Sequence, residues 1–204
     1  MEEKASQIIQ RSLPLFLKLG VKSLTMDDIA RELGISKKTL YQYFADKNQL
    51  ILKVVEYDLH QDECKMHNSI QGTKNAIEEI FSVASCVIEQ IKNIHPSILF
   101  ELKKYYPEAY SKFNEHKKGF ILESVLNNIE RGINEGLYCK NFNAEIVARL
   151  YTAKVDALFD VELFPPTKFK TEDIYKEMLM YHIRSIVNEN GLKVVTQFLK
   201  SNAL

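Results

Sequence analysis

Lys37, Lys38, Thr39, Gln42 and Tyr43 are spaced so that a short helix starting at Ser36 gathers them on its outer face. Cations and hydrogen-bond donors with reach, carried together on an exposed helix, suit the major groove of a duplex, with the N-terminal residues toward the base edges. Lys47 opens the next helical run, where free backbone amides and the helix dipole already favour a phosphate. A second set, His60, Glu63, Cys64 and His67, falls at i, i+3, i+4 and i+7 and shares one helix face. Imidazole, thiolate and carboxylate there could hold a transition metal, yet one helix rarely offers more than two or three converging ligands. A solvated face accounts for the same pattern, so neither a metal nor a cofactor is expected.

The elements that must position the first set are legible. Thr25 followed by Asp28 is a capping-box start for a helix over Met26–Leu33, and Gly34 can take the left-handed conformation of a sharp turn. Ser36 is a good N-cap for a second helix running to about Phe44, and Asp46 with Gln49 opens a third to near Ile70. Ala30 is small where two helices cross, and Ile29, Leu33, Ile35, Leu40 and Phe44 supply a core beneath the crossing. This is a helix-turn-helix. The other reading is a three-helix knot with an ordinary solvated face.

Period-3.6 patterns run through the rest of the chain, and convincing strands are missing. The spacing predicts helices over 2–19 (with a kink near Gln10 from Pro14), over about 20 residues to Asn93, from His95-Pro96 to Tyr106, from Glu108 to Glu135, over Ala144–Leu163 and Glu172–Asn188, and a short last piece after Gly191. The expected fold is all-α: a helix-turn-helix domain over 1–48 and a larger helical domain over 49–204. Seven Gly and five Pro in 204 residues fit long helices better than a loop-rich β-sandwich.

The formal net charge is zero, so the chain is no polycation. Residues 1–50 hold eight basic and six acidic groups, an asymmetry of the right sign but small; shape, not bulk charge, carries the nucleic-acid reading. Three cysteines without a C-x-x-C pair give no disulfide framework or closed zinc site. The Met1-Glu2-Glu3 start shows no secretory signal and no apolar run approaches a membrane span, so a reduced, cytoplasmic protein is expected. Phosphate-binding, nucleophile-elbow, dinucleotide and zinc-protease motifs are missing, and no enzyme is expected.

The run Thr25-x-x-x-Ile29-Ala30-x-x-Leu33-Gly34-Ile35-Ser36-x-x-Thr39-Leu40-Tyr41-x-Tyr43-Phe44-x-x-Lys47-x-x-Leu50 resembles the signature of TetR-type transcriptional regulators. The resemblance covers about residues 5–52. It implies an all-helical homodimer whose three N-terminal helices bind double-stranded DNA, with a C-terminal domain for ligand and dimer contacts. By position, Thr25, Tyr43 and Lys47 match phosphate contacts, while Lys37, Lys38, Thr39, Tyr41 and Gln42, on the helix opened by Ser36, match groove-facing positions. Two departures stand out: Pro14 interrupts the first helix, and Lys37-Lys38 puts two flexible cations where sequence readers are expected.

Aromatics recur at helical spacing between 73 and 163. Phe81, Phe100, Tyr105, Tyr110, Phe113, Phe120 and Tyr151, with His116 as an orienting group, are candidate walls of an apolar ligand pocket, and ordinary core is the other reading. The helices over 144–163 and 172–189 are apolar around more than one stripe, which a partner subunit or a large monomeric core would cover. The resulting expectation is a homodimeric repressor on a near-palindromic operator, released by an unidentified small-molecule effector. A DNA-bound adaptor controlled by a protein partner is the alternative.

Overall fold

The computed structural model of the protein describes residues 2–92 and 94–201. Among the described residues there are eleven α-helices and no strand beyond one isolated bridge between Tyr138 and Val187. The chain packs as two compact units, one of Met1–Asp62 with Asn93–His116, the other of Glu63–Lys92 with Lys117–Leu204. This packing division differs from a boundary at 48/49 in two ways. Most of the helix that follows the helix-turn-helix stays with the first unit, and residues 93–116 return to it.

In the first unit, α1 (Glu2–Leu19) continues unbroken through Pro14 and buries Ile8, Ser12 and Phe16. It packs with α2 (Met26–Leu33), α3 (Lys37–Tyr43) and the start of α4 (Lys47–Ser69) around Ile29, Leu33, Leu40, Phe44, Leu50 and Ile51, with Ile35 partly buried against them. The unit is completed by α6 (Ile98–Tyr105) and α7 (Pro107–His116), whose Leu102 and Ala109 join the same core. The helix expected from His95-Pro96 begins at Ile98. The His95 amide donates to the Leu17 carbonyl (2.6 Å) and its Nδ1 lies 2.8 Å from Ser97 Oγ, so these residues form a tie to α1 instead of a helical turn. Pro107 ends α6 and is also the first residue of α7, a position where the missing amide costs nothing.

The second unit contains α5 (Ala76–Ile91), α8 (Leu122–Asn134), α9 (Ala144–Lys154), α10 (Thr171–Ile186) and α11 (Glu189–Ser201). Two expected helices are modified. The run from Glu108 to Glu135 passes through a π-helical turn at Lys117–Ile121, and the helix expected to reach Leu163 narrows to a 3₁₀ turn over Val155–Phe159. There the Asp160 carboxylate accepts from the Glu162 and Leu163 amides and turns the chain. The core holds Ile77, Phe81, Ile129, Tyr138, Leu179, Ile183 and Ile186. Phe81 stacks on Phe198 of α11 with centroids 4.5 Å apart.

Candidate nucleic-acid interface

The local physics of the helix-turn-helix is satisfied group by group. Thr25 Oγ1 accepts from the Asp28 amide (3.1 Å) and the Asp28 carboxylate accepts from the Thr25 amide (3.0 Å), closing the capping box of α2. The Thr25 hydroxyl, which donates to the Asp28 carboxylate, and after it the Thr25 amide hold the Asp28 carboxyl below its ordinary range. Gly34 ends α2 at φ +67°, and the Ile35 amide donates to the Ala30 carbonyl (3.0 Å), which sets the turn. Ser36 Oγ then accepts from the Thr39 amide (3.0 Å) and caps α3. Leu40, fully buried, is the anchor that fixes which face of α3 turns outward.

That outward face carries Lys37, Lys38, Tyr41 and Gln42, all exposed, with Thr39 half-buried. Tyr43 is half-buried against the core of the first unit. Lys37 is not free: its Nζ lies 2.8 and 3.0 Å from the two oxygens of Asp27, which raises its pKa. Among the described residues Lys38 has no such partner. Thr25 spends its hydroxyl proton on Asp28 Oδ2 (2.6 Å), so a phosphate must compete with the cap for it. Lys47, at the start of α4, donates to the Lys22 carbonyl (3.3 Å) and lies 5.5 Å from the Tyr106 ring centroid.

Three features of this region have no signal at fixed spacing. One is the Asp27–Lys37 pair. The others are the carboxylate of Glu101 and the pair Tyr105-Tyr106, all brought in by α6. Glu101 accepts from the Val21 and Lys22 amides (2.8 Å each) and from Ser97 Oγ (2.7 Å). Burial pushes its carboxyl up, but these hydrogen bonds outweigh burial and leave it below the ordinary glutamate range.

The aromatic candidates for a ligand pocket are divided. Phe100, Tyr105, Tyr110, Phe113 and His116 belong to the first unit, where Phe100 and Tyr105 are exposed beside Lys104 and Tyr110 packs on the helix-turn-helix core. Phe81, Phe120 and Tyr151 belong to the second. Around Tyr151 the second unit buries a polar group that the sequence did not flag. The Tyr151 hydroxyl lies 3.5 Å from that of Tyr175, and its ring lies 4.7 Å from the imidazole of His182. Among the described residues His182 Nε2 is buried without a hydrogen-bond partner, and burial pushes the His182 pKa down to about 4. Among the described residues, His60, Glu63, Cys64 and His67 do not gather into a group able to hold a metal ion.

A capped, glycine-turned helix pair presenting a cationic face is a helix-turn-helix DNA-binding domain, and residues 8–54 match the family described as "Bacterial regulatory proteins, tetR family". The N-terminal domain is that of the TetR family. The chain is 25% identical to the HTH-type transcriptional regulator YvaF of Bacillus subtilis, over 77% of this chain and 82% of that one. Its fold resembles a transcriptional regulator of Saccharomonospora viridis in complex with choline (17% identity, TM-score 0.76, 93% and 100% of the two chains). It also resembles the regulator FadR of Bacillus subtilis in complex with stearoyl-CoA (19% identity, TM-score 0.67, 87% and 96%). Among the described residues, no helix is long and apolar enough to cross a membrane.

Proposed function

We propose that the protein is a homodimeric transcriptional repressor that binds a near-palindromic operator and is released by a small molecule. The observation that carries this reading is the outward face of α3, where Lys38, Tyr41 and Gln42 are exposed on a helix whose orientation Leu40 and the Ser36 cap fix. In this reading α3 enters the major groove; Lys38, Thr39, Tyr41 and Gln42 face base edges, with Lys37 once it exchanges Asp27 for the duplex. Thr25, Tyr43 and Lys47 hold phosphates. Two copies associate through α9 and α10, which supports half-sites about one helical turn, ~34–36 Å, apart. The support for that surface is apolar area left uncovered: Ile146 and Leu150 on α9 are each 57% exposed and Tyr181 on α10 is 68% exposed.

The effector is a molecule with mainly apolar surface, held in the second unit, where Phe81 and Tyr151 are buried and Phe120 is half-buried. Relatives of the same fold that carry choline or stearoyl-CoA support a small-molecule effector without naming it. To shift occupancy appreciably the effector must prefer one state of the dimer by a few kcal/mol.

Selection of bound duplexes from a random pool tests the reading directly. An inverted repeat with one-turn spacing is expected, and recovery of no preferred sequence would overturn it. On the selected site, Lys47→Ala should weaken binding to all sequences alike, whereas Gln42→Ala should change which base is preferred. Leu150→Lys should convert the dimer to monomers in sedimentation.

A further inference from the structure

We propose that Lys104 and Tyr105 at the end of α6, with Lys22 of the α1–α2 loop, form a second phosphate-binding patch that engages duplex backbone beside the phosphate held by Lys47. The inference rests on the DNA-binding reading above and adds to it a helix outside the helix-turn-helix.

The patch is continuous with the proposed interface. Lys47 Nζ donates to the Lys22 carbonyl (3.3 Å), Lys22 Nζ stands 4.8 Å from the Tyr105 ring centroid, and Lys104 Nζ stands 5.4 Å from the centroids of both Tyr105 and Phe100. Lys22, Lys104 and Tyr105 are exposed. Other lysines of the chain, such as Lys37, Lys53 and Lys112, sit against carboxylates. Among the described residues Lys22, Lys47 and Lys104 make no ion pair and lie over rings instead. An aromatic ring holds a lysine stem in place without cancelling its charge, so Lys22 and Lys104 carry unneutralised charge at the surface beside the half-buried Lys47. The carboxylate on the same helix, Glu101, is committed to the Val21 and Lys22 amides and to Ser97. The Tyr105 phenol is held below its ordinary pKa, first by hydrogen bonding to Lys22 and then by the charge of Lys104.

A duplex backbone is the partner this chemistry fits. It offers a dense row of negative oxygens without requiring a shaped pocket, and it already lies against Lys47 when α3 is in the groove. A patch of lysines over rings reads charge and not sequence.

The test uses the full chain and a duplex selected by it, with affinity measured across salt concentrations. The double variant Lys22→Gln, Lys104→Gln should flatten the slope of log K against log salt by about 0.9 for each phosphate that is no longer neutralised. The base preferences at each operator position should stay as they are, and Lys22→Arg, Lys104→Arg should restore the wild-type slope. A glutamine variant with the wild-type slope overturns this inference while leaving the DNA-binding reading standing. An arginine variant as weak as the glutamine one also overturns it, because the weakening would then be structural. A wild-type chain that binds no duplex overturns both.

Discussion

The helix-turn-helix and the packing around α8 satisfy their polar groups in opposite ways. In the helix-turn-helix the bonds are short-range: Thr25 with Asp28 and Ser36 with Thr39, each three residues apart, and Asp46 with Gln49 at the start of α4. Around α8 the corresponding work is done by distant partners. Asn128 donates to the Ala76 carbonyl (2.9 Å) and to Glu79 (2.8 Å). Arg131 binds Glu79, Glu135 (2.7 Å) and the Thr73 carbonyl (3.0 Å), and Tyr138 donates to Asn128 (3.1 Å). The α4–α5 loop and the first turn of α5 are thereby stapled to α8 across some 50–60 residues of chain. Local satisfaction leaves a protein surface free to bind and to be read from sequence. Long-range satisfaction builds a specific interior whose partners only the fold reveals.

The sharpest way to break this contrast is to attack the close approach on which the second network depends. Gly132 lies under Tyr138 so tightly that an added Cβ would sit 2.1 Å from the ring. The ring has little freedom to yield, because Tyr138 is almost wholly buried and its hydroxyl is held by Asn128. Gly132→Ala should cost about 3 kcal/mol or more, as overpacking of a rigid core does. The denaturation midpoint would report it. A variant as stable as the wild type would mean that the network is looser than the contrast requires.

The same contrast explains how much was legible. Capping residues, a glycine turn and buried apolar positions at period 3.6 specified α2, α3 and the start of α4 almost to the residue, because each depends on neighbours within one turn. Of the expected site residues on α3, Lys37, Lys38, Tyr41 and Gln42 are exposed for the same reason, whereas Thr39 and Tyr43 are half-buried. Lys37 is the instructive exception: its partner Asp27 is ten residues away across the turn, and no spacing rule joins them. The aromatic candidates for a pocket were chosen by type, and burial by type cannot tell Phe81, stacked on Phe198, from Phe100, exposed beside Lys104. His182, unlike its neighbour Tyr151, is not legible because a buried imidazole on an apolar helix has no sequence signal.

His182 gives a test through pH. Its folded pKa, about 4, lies below the unfolded value near 6.5, so the unfolded chain takes up the proton first as pH falls. Stability is therefore fully present above about pH 6.5 and is lost between there and pH 4, by about 3 kcal/mol in all. His182→Leu removes the titration, and because Nε2 has no partner among the described residues, the loss of the imidazole should be nearly neutral at pH 7. Thermal unfolding of both proteins across this range should show a shallower acid limb for the variant. Parallel acid limbs would show that His182 is not the group responsible.

The smallest expected effect probes the locally satisfied side. Ser36→Ala removes the hydroxyl that accepts from the Thr39 amide and lies 2.8 Å from Thr39 Oγ1. A lost N-cap costs about 1 kcal/mol, and on a helix of only seven residues that loss falls on the first turn, where Lys37 and Lys38 begin. The global denaturation midpoint should shift little beyond this, whereas amide exchange along Lys37–Leu40 should accelerate, since the first turn opens by itself once its cap is gone. Ser36→Asp, which restores an acceptor at the cap, should return exchange to near the wild-type rate while weakening DNA binding by placing a negative charge against the phosphates. Stability rescued and binding weakened in one variant would separate the cap's structural role from the charge the groove demands. If Ser36→Ala instead left exchange in α3 unchanged and accelerated it throughout the second unit, satisfaction in α3 would not be local, and the distinction between the two units would fail.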